Sequence, residues 1–284
     1  MNGEDLAEQR EQLLDGWDES SKGWGRQADR IQQAARPISD WMIAHAQPRP
    51  GEQLLELAAG PGDTGFMAAR LVQPGGTLIS SDASAGMLDV ARERAEEQGI
   101  TNVEFKQLQL EWIDLPTASL DVVLCRWGVM LTVDPAAALR ECRRVLKPGG
   151  RLSLAVWDVA DANPWTIIIQ RTLVELGHVE PPASGGPGMF ALAAPGLLKE
   201  MLEEAGFFEI EVEPVAIMRH YANVLDWLGE SRDLMRQFSG IWGTLSDEQR
   251  QKLRDAIASA AVAYTGADGS IAMPGSSLAA VALA

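Results

Sequence analysis

The chain has 284 residues, 46% of them apolar, and a formal net charge of −16 from 24 basic against 40 acidic side chains. That is enough apolar material for a sizeable core, and the charge excludes a nucleic-acid binder, which needs clustered Lys and Arg to neutralise phosphates. No apolar run reaches the length of a membrane span, and the acidic start from Met1 to Asp5 is not a signal peptide; with only two cysteines, Cys125 and Cys142, reading as buried reduced thiols, a cytoplasmic location is expected.

Residues 1–45 read as two helices, one with Leu13, Leu14 and Trp17 on a face, the other with Ile31, Ile38, Trp41 and Met42. Ser20 to Gly25 between them reads as a flexible loop. From Pro50 strand and helix alternate: strand 54–58, helix 63–72, strand 77–82, helix 85–98 capped by Ser84, strands 103–108 and 120–127, helix 135–146 capped by Asp134, and strand 151–157 after the turn Lys147-Pro148-Gly149-Gly150. The rhythm then breaks. Helix 164–177 leads into a Gly/Pro-rich loop, 178–194, and helix 196–205; strand 208–220 and helix 223–236 follow, then helix 247–263 behind the capping box Ser246-x-x-Gln249, and a last strand over 270–284. Strands separated by helices predict a doubly wound α/β sheet, whose ligands bind at the carboxyl ends of the strands. The expected organisation is a helical lid (1–45), a core (46–157), an insertion (158–206), two final strands (207–221 and 270–284) and a second helical cover (222–269).

The densest signal is Leu54-Leu55-Glu56-Leu57-Ala58-Ala59-Gly60-Pro61-Gly62-Asp63-Thr64-Gly65, a strand ending in a glycine-rich turn that opens a helix. Gly60-x-Gly62-x-x-Gly65 also matches a dinucleotide fingerprint, and alone it is ambiguous. Glu56 decides between the two. A pyrophosphate is repelled by a carboxylate at that place, whereas an ammonium or sulfonium is attracted. Asp82, twenty residues past Gly62 at the end of the second strand, suits ribose hydroxyls.

These residues resemble the cofactor motif of class I S-adenosylmethionine-dependent methyltransferases. Further matches are Glu111-Trp112-x-Asp114, where the family places an acidic residue for adenine; Cys125-Arg126-Trp127-Gly128, the exit of strand four; and Arg144 to Gly150, a frequent family run. Trp157 and Asn163-Pro164-Trp165 resemble the small-molecule branch related to ubiquinone and menaquinone C-methyltransferases. The resemblance covers about residues 50–157. It implies a Rossmann-like seven-stranded sheet, S-adenosylmethionine as cofactor, and contacts to it from Glu56, Ala58, Gly60, Gly62, Thr64, Asp82, Ala83, Met87, Glu111, Trp112, Arg126 and, from the N-terminal segment that in the family often folds over the cofactor, Trp24.

The acceptor is less legible. Nine tryptophans, several at predicted strand ends, and apolar covers point to an apolar or aromatic small molecule, with loop 178–194 moving to admit it. Among the three histidines, His178 and His220 are candidates for a general base, His220 the stronger; no zinc spacing is present. Two other readings stay open: a non-catalytic S-adenosylmethionine-binding protein, and an NAD-type oxidoreductase, which Glu56 and the lack of a Tyr-x-x-x-Lys pair disfavour. A homodimer is compatible with the sequence.

Overall fold

A computed structural model describes residues 3–181 and 187–284. A seven-stranded sheet is ordered β3-β2-β1-β4-β5-β7-β6, with strands β1 (Gln53–Glu56), β2 (Thr77–Asp82), β3 (Val103–Gln107), β4 (Leu120–Arg126), β5 (Leu146–Trp157), β6 (Phe208–Tyr221) and β7 (Ile271–Leu283). β1 to β5 pair in parallel. β7 pairs antiparallel with both β5 and β6, so a single strand reverses the direction of the sheet. β1 and β4 lie at its centre, and their middle residues, Leu54 and Leu55 in β1 and Val122 to Cys125 in β4, are consecutive buried apolar side chains because both faces are covered.

The crossover helices are α2 (Asp63–Leu71), α3 (Ala85–Glu97) and α4 (Pro135–Val145). Ser84 caps α3 by accepting from Met87 N, and Asp134 caps α4 by accepting from Ala137 N with Pro135 in the first turn, as their residue types predict. Beyond β5 come α5 (Pro164–Glu175), α6 (Leu197–Glu204), α7 (Val224–Leu234), α8 (Arg236–Thr244) and α9 (Asp247–Ala260), the last opened by the Ser246–Gln249 capping box. The α8 helix is absent from the sequence reading, because Gly240 and Gly243 mask a segment whose anchor, Phe238, is fully buried. Part of loop 178–194, residues 182–186, lies outside the described residues. Among the described residues no helix is long and apolar enough to cross a membrane.

Two expectations are corrected. The Lys147 to Gly150 turn belongs to an irregular start of β5, where the pairing register with β4 shifts and Gly149 and Gly150 exchange backbone hydrogen bonds with Ala284. The expected loop at 20–25 is helical: α1 runs unbroken from Gly3 to Ala46. Ser20 and Ser21 turn their hydroxyls back onto the carbonyls of Gly16 and Asp18, at 2.7 and 2.8 Å, so their polarity is met inside the helix. Gly23 is there for close approach, since a Cβ would lie 2.1 Å from the carbonyl oxygen of Asp233. The second half of α1 buries Ile31, Ala35, Ile38 and Met42 in the core. Its first half continues past the sheet and reaches the carboxyl ends of the central strands.

Candidate functional site

A cavity of about 270 Å³ opens at those carboxyl ends, between the first half of α1, the exits of β1, β2 and β4, and the arm formed by β6 and the helices after it. At the exit of β1 the chain bends through Ala58, held at φ +49, and Gly60 at φ +52. Left-handed backbone of this kind costs an L-residue energy and persists where the surroundings fix it. Here Asp82 does the fixing: one carboxylate oxygen accepts from Gly60 N and the other from Ser84 N, each at 2.9 Å. The β1 turn and the α3 cap are thereby tied to one acidic group, which also lines the cavity.

Glu56 ends β1 and lines the same cavity. It is 3% exposed; one oxygen accepts from Gly65 N at 2.8 Å, and the other has no partner among the described residues. Burial pushes its carboxyl up to about 8, against the opposing pull of the Gly65 amide and of the Arg126 guanidinium. Arg126 ends β4, lies over Trp127 at 4.8 Å, and is held by Asp63 at 3.4 Å; Asp63 in turn binds Arg94 at 3.0 Å. A buried carboxylate oxygen without a partner and a guanidinium beside it suit a ligand carrying both an ammonium and a carboxylate.

The remaining expected residues divide. Ala58, Gly60, Ala83, Met87, Glu111, Arg126 and Trp24 line the cavity with Glu56 and Asp82. The indole N–H of Trp24 is buried without a partner among the described residues. Glu111 is taken up by the protein: it accepts from Arg10 Nε of α1 at 2.6 Å and from Asp134 N, so it fastens the first half of α1 across the cavity. Gly62 does not line the cavity; a Cβ there would strike the Phe66 ring at 2.3 Å, so it serves the packing of α2. Thr64 turns its hydroxyl to Ser39 of α1 at 2.9 Å. Trp112 is 75% exposed and points away.

His220 is also corrected. Successive residues of a strand face opposite sides, and on β6 the buried positions are Ile217, Arg219 and Tyr221, which leaves His220 exposed. No histidine lines the cavity among the described residues, His178 included. Arg219 lines it instead, and strand alternation would have found it had the sequence shown which face of β6 turns inward. Away from the cavity, the fold gathers His45, Glu211 and Glu213 with ligand-type atoms within 4.8 Å, a grouping invisible in a sequence without metal spacing.

Three tryptophans wall the far part of the cavity. Trp127 and Trp157 stack with centroids 4.1 Å apart, and Trp165 tilts against Trp157 at 5.1 Å. Two of the three polar ends are anchored: Trp127 Nε1 donates to Ser277 Oγ at 2.9 Å and Trp165 Nε1 to Asn163 Oδ1 at 3.3 Å. The rings are thus fixed walls rather than loose covers.

A family model described as "Methyltransferase domain" matches residues 48–206. The ubiquinone/menaquinone biosynthesis C-methyltransferase UbiE of Cellvibrio japonicus is 39% identical over 105 residues, which are 37% of this chain and 42% of that protein. The arsenite methyltransferase of Halobacterium salinarum is 32% identical over 171 residues, 60% of this chain and 41% of that one. Thus the chain spans less than half the length of these two relatives. The solved structure of the YcgJ protein from Bacillus subtilis superposes with a TM-score of 0.57 at 21% identity, covering 86% of this chain and 97% of that one, a likeness of fold.

Proposed function

This chain belongs to the methyltransferase-domain family, and on that footing we propose that it is an enzyme transferring a methyl group from S-adenosylmethionine to an apolar or aromatic small molecule. The observation that carries the reading is Glu56, a buried carboxylate in the cavity wall with one oxygen unpartnered among the described residues. Ionised, it favours the cofactor's ammonium, whereas its negative form opposes the pyrophosphate that a nicotinamide dinucleotide would bring to the same turn. Arg126 holds the cofactor carboxylate, Asp82 the ribose hydroxyls, and Met87 packs on the adenine. Bound there, the sulfonium supplies an activated methyl group and a neutral leaving group.

What the chain adds is placement. Fixing acceptor and methyl donor in line supplies about 7–11 kcal/mol of the barrier. The stacked indoles of Trp127 and Trp157 with Trp165 orient a flat acceptor, and the first half of α1, fastened by Arg10 and Glu111, keeps water from the reacting atoms. With no histidine among the described cavity residues, the acceptor reacts without an imidazole base.

The relative that methylates arsenite suggests a soft inorganic acceptor, which needs thiolates. Cys125 and Cys142 are both fully buried and do not line the cavity, and burial pushes the Cys125 thiol up to about 12. That favours an organic acceptor. Radiolabelled methyl transfer to a panel of phenols, quinols, aromatic acids, amines and arsenite tests the reading. Label is expected in aromatic members; label confined to arsenite or to small, highly charged acids would contradict the acceptor class.

A further inference from the structure

β6 and β7 run on past the end of β5. Trp157, the last residue of β5, pairs with Ser277, and Ser277 pairs with Val215, so residues 216–221 project beyond the rest of the sheet. On this arm Arg219 faces inward, 4% exposed, and lines the cavity. Its Nε donates to Tyr221 Oη at 2.8 Å and its Nη2 to Glu230 Oε2 at 2.6 Å, while its guanidinium lies 4.4 Å from the centre of the Trp165 ring. Burial pushes the Tyr221 hydroxyl up, so it stays neutral and leaves Glu230 as the counter-charge.

A guanidinium has five N–H donors, and those of Nη1 meet no acceptor among the described residues. We propose, resting on the methyltransferase reading, that Arg219 recognises an anionic oxygen on the acceptor, so that the substrate class is a flat aromatic or apolar acid ionised near neutrality, a carboxylate above all, rather than an amine or a neutral hydrocarbon. Three features carry this. A buried ion pair is a poor stabilising device, and a hydrophobic pair of equal volume would serve the fold as well. The fork of a guanidinium matches oxygen anions in a way an ammonium does not. Finally, the same guanidinium lies on Trp165, so the cation and the flat apolar wall meet at one place, as a flat acid requires. Of the two other cations lining the cavity among the described residues, Arg10 is paired with Glu111, and Arg126 is already assigned to the cofactor carboxylate.

The test uses the full chain saturated with S-adenosylhomocysteine and follows tryptophan fluorescence while 2-naphthoate and, separately, 2-naphthamide are added. These probes share a ring system and differ in charge. The wild-type protein should bind the acid at least tenfold tighter than the amide. Glu230→Gln, which removes the counter-charge and keeps a hydrogen-bond acceptor, should tighten the acid about threefold or more and leave the amide unchanged. The pair Arg219→Met with Glu230→Leu, which strands no buried charge, should erase the preference while the S-adenosylhomocysteine Kd stays within twofold. Equal binding of the two probes, binding of neither, an unmoved acid affinity in Glu230→Gln, or a loss confined to the cofactor would each overturn the proposal. Failure of wild-type protein to bind S-adenosylhomocysteine at the outset would instead overturn the methyltransferase reading beneath it.

Discussion

Glu56 is the residue on which the account turns. Its carboxyl is raised to about 8 chiefly by burial, so in the free protein it is largely protonated near neutrality. Holding an ammonium requires it ionised. Cofactor affinity should therefore rise with pH from 5.5 to 7, by up to about tenfold per unit, and level off above about 8, with protons released on binding. The sign for folding is opposite. A carboxyl raised above the ordinary glutamate range contributes stability below that range, and this is lost as pH climbs through about 8. Titrating S-adenosylhomocysteine at several pH values in buffers of different ionisation enthalpy measures the first effect; Glu56→Gln should abolish the slope. A slope that is flat in the wild-type protein would show that Glu56 does not meet the ligand's cation.

At the level of elements, α1 links the core to the site. Its second half is core, its first half is cover, and Gly23 lies between them against the last turn of α7. A methyl at Gly23 would meet backbone, the Asp233 carbonyl, which cannot swing aside as a side chain would. Gly23→Ala should cost about 1–3 kcal/mol in denaturant unfolding, the usual range for overpacking, although alanine favours helix. No loss of stability would mean that α1 and α7 are free to separate. The same helix shows why a local pattern misleads. Ser20-Ser21-Lys22-Gly23-Trp24-Gly25 reads as a loop because small polar residues favour loops when nothing packs on them; here the small size is what lets a second helix approach. The caps at Ser84, Asp134 and Ser246 were legible because they depend on residues only two or three positions away.

Across the whole molecule, what could be read from the sequence follows the range of the interaction that sets it. The alternation of strands and helices, the turn after β1, and the placing of Glu56 and Asp82 at the ends of adjacent strands are local or follow from a common sheet topology, and they are visible in the chain. The length by which β6 and β7 outrun β5 is set by pairing between residues about sixty positions apart, so nothing near Arg219 signals that it reaches the cavity while His220 turns to solvent. The engagement of Glu111 by Arg10, about a hundred residues away, is hidden for the same reason. Calorimetry of the two candidate cofactors, side by side, is the measurement that decides which of them the turn after β1 holds. S-adenosylmethionine and S-adenosylhomocysteine should both bind, with no measurable heat from NAD. Tight binding of NAD with neither sulfur nucleoside bound would contradict the account.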